Sequence, residues 1–242
     1  EIGVRLVGSE MCIRDRMEHL SPLTKSKVGL LLEGHVQHAY FTVSQIEKFY
    51  SAFFPKWKKE AYYELLKKLQ VLPSQKLSTM SCGQRSQVAL GLLFAQDPEL
   101  LILDDFSMGL DPGYRRLFVE YLREYASAEN KTVFLTSHII QDMELLIDDC
   151  MIMDYGRLLL HKPVKEIMHH FKRYRFTRPG DTFKLEADED FWHPSALGDK
   201  WEVYSFLPKA EVEQRLKAMG VTEITEENLS LEDAFIGLTG KY

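Results

Sequence analysis

Four consecutive apolar residues, Leu100-Leu101-Ile102-Leu103, run directly into two carboxylates, Asp104 and Asp105. A run this short and this continuous has no water-facing side, so it suits a strand of a parallel sheet covered on both faces. Parallel strands need crossover connections, usually helices, and the flanking sequence supplies them. Val28–Leu32, Thr132–Thr136 and Cys150–Met153 read as further short strands. Helical spacing runs through Ser44–Phe54, which Pro55 ends, and through Glu60–Leu69, Gly83–Gln96, Tyr114–Ala126 and Ile139–Ile147. The alternation predicts an α/β domain built on a mainly parallel sheet.

From Phe171 the character changes. Arg178-Pro179-Gly180-Asp181 is turn chemistry, residues 181–207 show no strong period, and Ala210–Met219 and Leu231–Leu238 read as short helices. This stretch is expected to be a small accessory region. No apolar run reaches the length of a membrane-spanning helix. The net charge of -6 argues against a nucleic-acid partner. Three cysteines (Cys12, Cys82, Cys150) form neither a disulfide framework nor a zinc pattern. Residues 1–16, EIGVRLVGSEMCIRDR, resemble an in-frame translation of a sequencing adapter, and are set aside as an expected artefact.

Several residues could carry chemistry. A carboxylate at the C-terminal end of a parallel strand faces the crevice where open α/β sheets bind ligands. Asp104 in that place could serve a magnesium ion, and Asp105 could orient or deprotonate an attacking water. Ser81 stands where it would cap the Gly83–Gln96 helix, whose N-terminus suits a phosphate. Gly109-Leu110-Asp111-Pro112 forms a turn, and the Thr132–Thr136 strand ends in Ser137-His138. Each also has a bland reading: a capping acid, a plain N-cap, a surface histidine. His161, His169 and His170 lack metal-ligand spacing. Lys56, Lys58, Lys59, Lys67 and Lys68 fit a solvated helical face. The aromatics Phe49, Tyr50, Phe53, Phe54 and Trp57 fit either a core or an apolar docking groove.

Taken in order, Met80-Ser81-Cys82-Gly83-Gln84, Leu100 to Asp105, Gly109 to Asp111-Pro112 and Thr136-Ser137-His138 resemble the nucleotide-binding domain of ABC transporters, of the bacterial drug or peptide exporter type. They look like that family's signature motif, Walker B strand, D-loop and switch histidine. Leu32-Glu33 looks like the Q-loop, and Leu229 to Ile236 is similar to the end of many bacterial transporter ATPases. The resemblance implies a P-loop NTPase-like fold with a helical signature subdomain. It also implies ATP and Mg2+ as ligands and two such domains sandwiching two ATP molecules. Ser81 and Gly83 would meet the γ-phosphate on the partner chain, and Cys82, Gln84, Glu33 and Asp111 would also belong to the nucleotide-binding residues. Asp104 would serve Mg2+ through water, Asp105 would polarise the attacking water, and His138 would contact the γ-phosphate. Glu33 would link the site to a transmembrane permease subunit, with the chain peripheral on the cytoplasmic face of the membrane.

Three departures stand out. The second Walker B carboxylate, usually Glu, is Asp105, Cys82 replaces a usual Gly, and Glu33 stands where many members have Gln. No G-x-x-x-x-G-K-[ST] phosphate loop occurs in the sequence. The chain is therefore expected to be truncated at its N-terminus and inactive by itself. Its expected organisation is artefact over 1–16, partial ATPase domain over 17–171 and accessory region over 172–242. The alternative is a non-hydrolytic partner of the same fold that completes another chain's ATP site.

Overall fold

A computed structural model describes residues 21–32, 38–107, 110–141 and 143–240. The chain divides into two compact units, one ending at Ile139 and one starting at Ile140. This division by compactness falls earlier in the chain than the sequence boundary near 171.

The first unit opens with a single turn, α1 (Pro22–Lys25), and is built on β1 (Val28–Leu31), β2 (Leu100–Asp104) and β3 (Thr132–Thr136), parallel and in that spatial order. Leu30 lies opposite Ile102, and Ile102 opposite Phe134. Side chains alternate faces along a strand, so these three share one face while Leu31, Leu101 and Leu103 share the other. The second set is buried. Among the described residues the first set is not: Leu30 is 53% and Phe134 56% exposed. The double coverage that the apolar run predicts is thus met on one face only.

That face packs against helix. The crossover from β1 to β2 carries α2 (Val43–Ser51), α3 (Lys59–Lys68), a 3-10 turn (Leu77–Thr79) and α4 (Cys82–Ala95). Thr42 starts α2 with a reciprocal capping box to Gln45. Val43, Ile46, Tyr62, Leu66, Leu77, Met80, Val88 and Leu92 close a helical core of their own. The Tyr62 hydroxyl donates to the Val43 carbonyl at 2.9 Å, so this core carries its one buried phenol satisfied. Gly29 lets β1 approach α4, because a Cβ there would fall 2.5 Å from Leu93 Cδ1. The crossover from β2 to β3 is α5 (Pro112–Ala128), whose Phe118, Val119 and Leu122 are buried.

Asp97 ties three ends of this unit together. It follows α4 in the left-handed conformation at φ 53°. Its Oδ1 lies 2.7 Å from Lys131 Nζ and 3.1 Å from Lys58 Nζ. Lys131 leads into β3, and Lys58 leads into α3.

The second unit contains no parallel strand among the described residues. β4 (Asp149–Asp154) and β5 (Arg157–Pro163) form an antiparallel hairpin closed at Tyr155 and Gly156, both with positive φ. Cys150–Met153 is therefore half of a hairpin, not a member of the parallel sheet. The helix expected over Ile139–Ile147 is reduced to a 3-10 turn at Met143–Leu145. Only Met143 is buried there and Leu145 is exposed, so the apolar period has no packed surface to hold a longer helix. After α6 (Val164–His170) come β6 (Lys172–Thr177), β7 (Trp192–Leu197), β8 (Lys200–Ser205), α7 (Lys209–Ala218), β9 (Ile224–Glu227) and α8 (Leu231–Thr239). The four strands form an antiparallel sheet in the order β7-β8-β6-β9. Tyr174 and Phe176 pack one face against Val212 and Leu216 of α7. On α8, Gly237 sits directly on the Tyr204 ring, where a Cβ would come within 2.5 Å.

The Asp97 link makes a pH-dependent prediction. Partial burial pushes its carboxyl up, but the hydrogen bonds and charges of Lys131 and Lys58 outweigh burial and hold it below the usual carboxylate value. A depressed carboxylate contributes stability above its unfolded pKa of about 4, and loses it as pH falls through the folded value. Asp97→Asn is expected to lower the melting temperature at pH 7. The gap from the parent should hold constant from pH 7 to about pH 5 and narrow only as melts are taken below about pH 4.

Candidate active site

The C-terminal edge of the parallel sheet gathers the carboxylates. Asp104 ends β2 directly opposite Thr136, the last residue of β3. Thr136 Oγ1 donates to Asp104 Oδ1 at 2.6 Å and accepts from the Asp105 N–H at 3.1 Å. The same N–H also reaches the Thr136 carbonyl at 3.1 Å. Asp105 adopts φ 43°, a left-handed conformation that Asp tolerates better than most residues. This turn carries its Oδ2 to 2.7 Å from His138 Nδ1. Ser137 makes a local turn with Ile139, accepting from the Ile139 N–H and donating to its carbonyl, and so fixes the backbone on either side of His138.

The pair is asymmetric. His138 is 62% exposed and Asp105 20%. With Nδ1 turned to Asp105, the Nε2 of His138 is the nitrogen left for a ligand. Asp105 Oδ1 is buried and, among the described residues, has no hydrogen-bond partner. An orphaned carboxylate oxygen beside a histidine is an acceptor waiting for a donor such as water.

A second cluster forms at the start of α4. Ser81 caps the helix: its Oγ accepts from the Gln84 N–H at 3.2 Å, and Gln84 Oε1 accepts from the Ser81 N–H at 3.1 Å. A hydroxyl that accepts in this way still has its own proton to donate. Cys82 and Gly83 are the first helical residues, and Cys82 is exposed. Gly83 lies against the Tyr114 ring, with a built Cβ falling 2.8 Å from Tyr114 Cδ2. Asp111 caps α5, its Oδ1 accepting from the N–H groups of Gly113 and Tyr114 at 3.0 and 3.1 Å. Gly83 and Asp111 are thus joined through Tyr114. No hydrogen bond or ion pair links Ser81, Gly83 or Gln84 to Asp104, Asp105 or His138.

Comparison with known proteins gives the arrangement its context. Residues 20–141 match the protein family described as "AAA domain, putative AbiEii toxin, Type IV TA system". An uncharacterized ABC transporter ATP-binding protein of Synechocystis is 26% identical over 228 residues, 88% of this chain and 62% of that protein. The Nod factor export ATP-binding protein I of Rhizobium johnstonii is 26% identical over 228 residues, 90% of this chain and 73% of its own length. The chain belongs to the AAA domain family. Its homologues over about 90% of its length are ABC transporter ATP-binding proteins. A solved ATP-binding subunit of an ABC transporter superposes with a TM-score of 0.53 at 20% identity, over 61% of this chain and 63% of the other, a likeness of fold. Thus the chain spans about three-fifths of the Synechocystis relative's length.

The residues that sequence reading singles out fall in two places. Asp104, Asp105 and His138 come together at the sheet edge, while Ser81, Cys82, Gly83 and Gln84 start α4 with Asp111 behind them. Glu33 and Gly109 lie outside the described residues. Sequence reading missed Thr136, which contacts both carboxylate residues, and Tyr114, which backs Gly83. The signal for Thr136 was its place two residues before His138 at a strand end.

The metal that this family implies can be weighed on the residues present. Among the described residues no three His, Cys, Asp or Glu converge to cage an ion. One Asp104 oxygen, Oδ1, is taken by Thr136, and among the described residues its other carries no hydrogen bond. A single hard oxygen fits Mg2+, which is commonly held by one or two carboxylates together with substrate phosphates and waters.

Gly83→Ala should force the Tyr114 ring to move and cost about 1–3 kcal/mol as overpacking. Tyr114→Ala added to Gly83→Ala should be less destabilising than the sum of the two single changes in a denaturant-melt cycle. Additive costs would show that the two residues do not press on each other.

Proposed function

We propose that this chain is the ATP-binding and hydrolysing subunit of an ABC transporter, which drives transport through a separate membrane subunit. The observation that carries the reading is the Asp105–His138 contact of 2.7 Å beside Asp104 at the sheet's C-terminal edge. Asp104 would hold Mg2+, which when bound neutralises charge on the β- and γ-phosphates. Asp105 Oδ1 would take the proton of the attacking water, while His138 holds the opposite oxygen and turns Nε2 towards the γ-phosphate. Asp105 is one methylene shorter than the usual Glu. Its left-handed backbone and its direct contact with His138 support compensation of that lost reach by the local turn.

Ser81 and the N-terminus of α4 would contact the γ-phosphate bound by a second ATPase domain, identical or related. The membrane subunit would dock on an aromatic surface of the helical part. There Phe41, Phe49 and Phe53 contact one another in series, tilted and edge-on, and Phe53 is 64% exposed. No helix among the described residues is long and apolar enough to cross a membrane. As the ATPase subunit of a transporter, the chain would sit at the cytoplasmic face through its partner. The export role named for the Nod factor relative supports an exporter.

The test is Mg2+-dependent ATP hydrolysis by the intact gene product purified with its membrane subunit. Asp105→Asn should lower kcat by about a hundredfold or more and leave binding of a fluorescent ATP analogue within a few-fold of the parent. Parent protein that binds ATP without hydrolysing it would support the non-hydrolytic partner instead. Hydrolysis insensitive to Asp105→Asn would remove Asp105 from the chemistry.

A further inference from the structure

We propose that Thr136 is the positioning residue of the carboxylate pair: its single hydroxyl sets how Asp104 presents its remaining oxygen and how the backbone turns at Asp105. The inference rests on the ATPase reading given above and extends it to a residue that the motifs include without assigning it a role.

The geometry is specific. Thr136 and Asp104 are in-register neighbours on parallel strands, so their side chains rise on the same face. The Thr136 hydroxyl works in both directions at once. It donates to Asp104 Oδ1 at 2.6 Å, within the short range of a charge-assisted O–H···O bond, and it accepts from the Asp105 N–H at 3.1 Å. A β-branched residue in a strand has few χ1 choices, so the hydroxyl is held in place by its own methyl group.

Each half has a consequence. With Oδ1 engaged, the Asp104 carboxylate cannot swing freely, and one defined oxygen is left for a hard ligand. With its N–H held by both the carbonyl and the hydroxyl of Thr136, Asp105 is retained at φ 43°, a left-handed conformation that non-glycine residues disfavour. That turn is what brings Asp105 Oδ2 to His138. The end of β3 thus grips the pair twice, at the backbone through Thr136 and at the carboxylate through His138. Valine at 136 has nearly the same shape but neither donates nor accepts, whereas serine keeps the hydroxyl and loses the methyl.

The experiment compares Thr136→Val and Thr136→Ser with the parent, using the intact gene product with its membrane subunit. Amide hydrogen exchange at Asp105, without nucleotide, should be at least about tenfold faster in Thr136→Val and near parental in Thr136→Ser. Mn2+ affinity, read by electron paramagnetic resonance with a saturating non-hydrolysable ATP analogue, should weaken about 10- to 100-fold in Thr136→Val. Analogue binding in EDTA should be unchanged, and kcat should fall with little change in KM. Serine should restore both readouts. Parental exchange and parental Mn2+ affinity in Thr136→Val would overturn the proposal. So would a serine variant as impaired as the valine one, since that would make the methyl's packing the active part. If the parent takes up no Mn2+ with the analogue, the ATPase reading fails, and Asp105 exchange still decides whether Thr136 holds the turn.

Discussion

The in-register pairing of β2 with β3 is the constraint on which the candidate site depends. It sets Thr136 opposite Asp104, and everything at the sheet's edge follows within two residues of that pair. A slip of one residue would turn Thr136 to the other face and separate Asp105 from His138. The register is itself set by burial, because Leu101 and Leu103 are fully buried on the face that the helices close. The apolar run that makes the strand therefore also aims the carboxylates. Packing and chemistry are one specification here, written in six consecutive residues.

The α4 end of the molecule follows similar logic. Gly83 begins a helix whose interior side is apolar, and the ring of Tyr114 fills the space that a side chain would occupy. Tyr114 is placed by Asp111, which caps α5 by accepting from its N–H. A displacement at the turn before α5 would reach the start of α4 through one aromatic ring. The two clusters are chemically different. One is a carboxylate–histidine arrangement with an orphaned acceptor, and the other is a helix terminus with a hydroxyl that can still donate.

Much of this was legible in the sequence. The strand ending in Asp104-Asp105 and the helices on either side follow from apolar period and length, and the site motifs from their order. Thr136 was not legible as a site residue, because its role comes from register, a property of two strands that neither segment carries alone. Beyond Phe171 the four-stranded sheet was missed for a related reason. Tyr174 and Phe176 alternate with Arg173, Arg175 and Thr177 at strand period, yet this segment is short and rich in charge. Those charges are satisfied across strands, Arg173 and Arg175 both pairing with Glu227, which sequence order does not reveal. The helix expected after His138 failed for the opposite reason: its apolar residues had a helical period but no surface to bury it.

The central claim is that nucleotide chemistry takes place at the ends of β2 and β3. The most direct test replaces Mg2+ by Fe2+ with ATP bound to the intact gene product, starts hydroxyl-radical production at the metal, and maps the backbone cuts by mass spectrometry. The account predicts cuts concentrated at residues 104–107 and 136–138, suppressed by excess Mg2+ and absent without nucleotide. Nucleotide-dependent cleavage elsewhere, with these two segments intact, would contradict it.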